Sequence, residues 1–142
     1  MEDGYRAEDG DIRIGYKVVR REGLNLFSMI VLSGRVRYGF DEYAKPEKGC
    51  GPLACFIGKR EVLEFYREQL GRREVWRRGA EGMGIDGVEL PSWEIYECEY
   101  YRWGGVGYLW NEVSEFGITA GGLPRGTILA SGIRLRGKAI EV

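Results

Sequence analysis

The chain has 142 residues, 44% of them hydrophobic, and its 21 basic and 22 acidic side chains nearly cancel. It contains no histidine, which excludes Ser-His-Asp and Cys-His triads and leaves acid/base chemistry to Glu, Asp, Lys, Tyr or Cys. A balanced charge offers no field of one sign to hold nucleic acid or an anionic membrane, and no apolar run approaches the roughly 18 residues of a membrane span.

Met1 to Asp11 is acidic and glycine-bearing, unlike a basic-then-apolar leader, and reads as a flexible start to an intracellular, cytoplasmic protein. Ile14 to Arg20 reads as a strand, with Arg21-Glu22-Gly23 as a turn. Leu26 to Leu32 is nearly continuous apolar sequence, the pattern of a strand covered on both faces. Arg35 to Phe40 alternates, with Val36, Tyr38 and Phe40 on one face. Ala44 to Pro52 is a loop by its Pro and Gly content, and Leu53 to Ile57 a short buried strand.

Lys59 to Leu70 is the clearest helix: Val62, Phe65, Tyr66 and Leu70 recur at helical spacing, and Gly71 supplies a stop. Arg72 to Arg78 fits either more helix or a strand, and the four glycines and Pro91 of Gly79 to Ser92 predict a long loop. Trp93 to Trp103 alternates strongly, with Tyr96, Cys98 and Tyr100 on one face and Glu97 and Glu99 on the other. Val106 to Trp110 reads as its hairpin partner, and Asn111 to Gly122 as irregular or one helical turn. A turn at Leu123 to Gly126 leads to strands at Thr127 to Leu135 and Ala139 to Val142. The expected fold is a single α+β domain over residues 12–142, a curved antiparallel or mixed sheet carrying one main helix at about 59–70.

Sixteen arginines against five lysines, and only three Asn and Gln residues, form a thermophile-like composition that a GC-rich genome also favours. Cys50, Cys55 and Cys98 cannot all pair within one chain. Four residues separate Cys50 from Cys55 where a thioredoxin-type motif has two. Small buried apolar side chains are the plainer reading, with a bridge from Cys98 to Cys50 or Cys55 as the alternative.

Three features could carry function. Trp93 to Trp110 holds three Trp and four Tyr, so Trp93, Tyr101, Trp103 and Trp110 could pack in the core, meet a protein or stack on a ligand. Arg72, Arg73, Arg77 and Arg78 surround Trp76 and could grip phosphates, or simply form a solvated helix end near Glu64, Glu68 and Glu74. Glu97 and Glu99 share a strand face about 7 Å apart and are the candidate catalytic carboxylates, or a solvated face. No phosphate-loop, dinucleotide or metal motif is present, so neither cofactor nor metal is expected.

The ordered segments GYKVV (15–19), LFSMIV (26–31), GPLACFIGKREVLEFY (51–66), EIYECEY (94–100) and ILASGIRL (128–135) resemble small uncharacterised proteins of prokaryotic viruses and their hosts, a resemblance that implies no activity. More remotely, Gly51 to Tyr66 followed by the acidic strand resembles the middle of the ADP-ribosyltransferase fold. That resemblance implies NAD binding near Cys55 to Tyr66, in a cleft holding Lys17 or Arg20, Phe56, and Glu97 or Glu99. The leading expectation is a non-enzymatic accessory or interaction protein that self-associates or grips a protein through its aromatic segment. The alternatives are a divergent NAD-binding transferase and a single-strand nucleic-acid binder using Trp76 and its arginines.

Overall fold

The computed structural model describes residues 12–29, 36–46, 53–85, 92–102, 113–114, 117–118 and 124–142. Within them, β1 (Arg13–Glu22) pairs along nearly its whole length with β5 (Ser92–Arg102). The other edge of β1 meets β4 (Leu53–Phe56) at Tyr16↔Phe56 and then β2 (Asn25–Ser28) from Val19 to Glu22. β2 carries the two-residue β3 (Arg37–Tyr38). β4 and β5 each pair with β8 (Thr127–Arg136), so the sheet returns to β1 and closes into a small antiparallel barrel. The segment after β3 completes the wall: Ala44 bridges Ile133, and the Leu135 amide donates to the Gly39 carbonyl at 2.9 Å. Closure leaves the long strands β1, β5 and β8 with partners on both sides, which suppresses edge-to-edge association.

Strand alternation divides the apolar residues into two clusters. Val19, Leu26, Tyr38, Cys55, Tyr96, Cys98 and Tyr100 point into the barrel, with Ala130, Ile133 and Leu135 of β8. Those β8 residues change parity where the β5 to β8 register shifts at Tyr101/Arg102. Val18, Phe56, Trp93 and Ile95 point outward and are covered by Val62 and Phe65 of the helix α1 (Lys59–Gly82). β1 and β5 are therefore buried on both faces where the helix crosses them. Gly15 permits a close approach of backbone: a Cβ there would lie 2.8 Å from the Phe56 carbonyl oxygen and 3.0 Å from the Tyr100 ring.

The α+β class and the strands at 14–20, 53–57, 93–103 and 127–135 match the sequence reading within a few residues. The helix does not stop at Gly71. It runs 24 residues to Gly82, absorbing Arg72 to Arg78 and the first part of the expected 79–92 loop. A helix-ending glycine needs a left-handed backbone; Gly84 has it, at φ +81°, whereas Gly71 does not. The amides of Gly84 and Ile85 donate to the carbonyls of Glu81 and Ala80, the paired bonds of a Schellman cap.

Other boundaries move as well. β2 ends at Ser28, with Met29 buried beneath the helix. β3 holds only two residues, and Phe40, expected on one face with Val36 and Tyr38, is 45% exposed whereas Tyr38 is buried. The first turn is Gly23-Leu24, leaving Arg21 and Glu22 in β1. Ala139 to Val142 forms no strand, although the Ile140 amide donates to the Ile95 carbonyl at 2.7 Å. Within Asn111 to Gly122, β6 (Val113–Ser114) and β7 (Gly117–Ile118) pair as a short ladder. Residues 1–11, Cys50 and the expected strand 106–110 lie outside the described residues.

Candidate functional site

The described aromatics of the segment, Trp93, Tyr96, Tyr100 and Tyr101, are distributed through the fold. Trp93 is only 6% exposed, held under α1 by the edge of Tyr66 and by the Arg73 guanidinium 4.9 Å above its ring. Tyr101 is half-buried: its ring lies against the Gly132 backbone and 5.2 Å from the Tyr43 ring. Tyr96 and Tyr100 fill the barrel interior. Trp103 and Trp110 lie outside the described residues.

Helical spacing brings three of the four arginines into internal contacts. Arg77 bonds Glu74 and Glu81, Arg78 bonds Glu74 at 3.3 Å, and Arg73 covers Trp93, while Arg72 is exposed. Glu74 is held below the usual carboxylate range, chiefly by its hydrogen bond from Arg77. Seven basic residues on α1 are offset by five acidic ones, so the helix carries little net field for a polyanion.

Glu97 and Glu99 stand together on the outer face of β5, as the alternation predicts. Arg136 lies 3.1 Å from Glu97 and 3.5 Å from Glu99. Arg134 donates to Glu99 at 2.5 Å and the Tyr43 hydroxyl donates to it at 3.1 Å. The Arg134 bond, foremost among these, keeps the Glu99 carboxyl below its ordinary range despite partial burial. A general acid needs the opposite shift; this arrangement suits a fixed anion.

Of the residues of the NAD resemblance, Arg20, Phe56, Glu97 and Glu99 share the outer face of the sheet and Lys17 does not. Lys17 pairs with Tyr96 and faces the interior, whereas Glu97 pairs with Tyr16 and faces outward. Phe56 lies 4.9 Å from the Phe65 ring under the helix, and Arg20, 7% exposed, reaches Glu22 at 2.9 Å.

Other polar groups were hidden from sequence reading. Lys17, 8% exposed, donates to the Ala54 carbonyl at 2.6 Å and lies 4.9 Å over the Tyr38 ring. Burial pushes the Tyr38 phenol up, against the pull of that ammonium. Cys55 and Cys98 are free thiols, fully buried. A cavity of about 20 Å³ between Lys17, Phe56 and Phe65 has room for one water. The segment Arg37 to Ala44 borders a larger, polar hollow of about 420 Å³.

The most exposed apolar residues of the helix region follow its contact with the sheet: Val75 (69%), Trp76 (45%), Met83 (78%) and Ile85 (48%). Continued 3.6-residue periodicity through Arg72 to Arg78 was the signal that could have located them. Among the described residues no cluster of metal-binding side chains occurs, and no helix is long and apolar enough to cross a membrane. Comparison with family models, curated proteins and solved structures finds no match.

Proposed function

We propose that the protein is a non-enzymatic interaction module that self-associates through the second half of α1. The observation that carries this reading is the run of exposed apolar side chains at Val75, Trp76 and Met83, on a helix whose buried face is already satisfied by the sheet. At 100° per residue, Glu68, Arg72, Val75, Trp76, Gly79 and Met83 share one face, and all six are exposed. That face carries one acid and one base and so does not repel a copy of itself. Antiparallel pairing would lay Arg72 of each copy over Trp76 of the other, two symmetric cation–π contacts, while Gly79 allows close approach.

The single-strand reading has less support, because Arg73, Arg77 and Arg78 are occupied within the helix. The NAD reading has less support because Lys17 faces the interior, Phe56 is covered by α1 and Arg20 is buried against Glu22.

Sedimentation velocity across a hundredfold concentration range tests the proposal. The mass is expected to rise from monomer toward dimer, and Trp76→Glu and Val75→Asp to remain monomeric while folded. A monomer mass unchanged across the range rejects it.

A further inference from the structure

We propose that Cys55 and Cys98 form an oxidative modification site, at which a peroxide installs a disulfide across the barrel interior and joins β4 to β5. These strands are not neighbours in the sheet: each pairs with β1 on one side and β8 on the other. Their cysteines nonetheless face the same interior. Cys98 stands opposite Gly15, and the Tyr16↔Phe56 pairing turns Cys55 toward the same interior side as Gly15 and Lys17. The missing side chain at Gly15 lets β4 close over β1, with the Phe56 carbonyl 2.8 Å from the position a Cβ would take. Both thiols belong to one core cluster and both are 0% exposed.

The chemistry balances with hydrogen peroxide as oxidant. One thiol sulfur attacks a peroxide oxygen, giving a sulfenic acid and one water. The second sulfur displaces the hydroxyl of that sulfenic acid, forming the S–S bond and a second water. Two thiols lose two electrons and the peroxide gains them. The hydrogen bond to Cys55, with burial, raises the Cys98 thiol, and the Lys17 ammonium opposes them. The thiolate is therefore scarce, and the reaction is slow and confined to small oxidants. The closed loop would contain α1, so the cross-link restricts the unfolded chain more than the folded one.

The test uses a Cys50→Ser background, which leaves one possible intramolecular pairing. After peroxide treatment of the folded protein, the intact mass should fall by two hydrogens and peptide mapping should recover Cys55 joined to Cys98. The thermal midpoint should rise on the order of 10 °C and return with dithiothreitol. Two free thiols in the treated protein, a gain of oxygen mass in place of a disulfide, or a cross-link between chains would each overturn the proposal. None of these readouts depends on the helix face, so the two proposals fail separately.

Discussion

Arg21 and Glu94, on adjacent barrel strands, form a two-pronged ion pair: Nε donates to Oε2 at 2.6 Å and Nη2 to Oε1 at 2.9 Å. The Tyr96 hydroxyl donates to the same carboxylate at 2.9 Å. The Arg21 bond is the main cause holding the Glu94 carboxyl below its ordinary range, opposed by burial and aided by Tyr96. A folded carboxyl that titrates below its unfolded counterpart gives stabilisation that is complete above roughly pH 4.3 and is lost as the pH falls through the folded value. Glu99, held down by Arg134, acts in the same direction. Thermal melts should therefore show Glu94→Gln less stable at pH 7 by about 1–2 kcal/mol. The gap to the unmodified protein should close below pH 4; a gap that stays constant with pH would count against this role for the pair.

Three glycines interrupt α1: a Cβ at Gly71, Gly79 or Gly82 would meet nothing within 4 Å among the described residues. Each substitution to alanine should raise stability by about 0.5–1 kcal/mol, read from denaturant midpoints. Gly79→Ala should also weaken dimerisation in sedimentation while the monomer gains stability, since a methyl there would hold a second helix away. Loss of stability in all three variants would mean that the helix is shorter in solution.

Gln69 is 3% exposed within α1, and its Oε1 has no hydrogen-bond partner among the described residues. A buried acceptor left without a donor costs about 1–3 kcal/mol. Gln69→Leu should therefore raise the urea midpoint with an unchanged slope, and a lowered midpoint would identify a necessary bond from the amide nitrogen.

Gly15 predicts the reverse. An alanine Cβ would meet the Phe56 carbonyl, which is backbone and cannot swing aside. Gly15→Ala should cost about 2–3 kcal/mol, measured by the same denaturation. A neutral result would show that β4 and β1 do not cross so closely.

The long strands were legible because their neighbours in sequence alternate or are bounded by glycine: β5 announced Tyr96, Cys98 and Tyr100 as one face, and all three are buried. The period of two could not reveal that Trp93 and Ile95, on the opposite face, would be buried by α1, since a covering layer comes from another element. Gly71 misled because the stop signal is a backbone conformation that any glycine can adopt, and the fold uses it at Gly84. Lys17 sits in GYKVV, apolar on both faces, so its inward direction was settled only by its register with Tyr96. The pairings of Glu99 with Arg134 and Arg21 with Glu94 span distant strands and left no local pattern.

β1 hydrogen-bonds to β2, β4 and β5, and the ring that contains it closes only through β8, far later in the sequence. During synthesis, β1 and its hairpin partner emerge long before Thr127 does. Until then Val19, Tyr96 and Cys98 have no enclosed interior to enter, and their apolar surface is open to neighbouring nascent chains. The topology is thus decided only once β8 has been made, and a ribosome stalled before β8 releases an open sheet prone to aggregation.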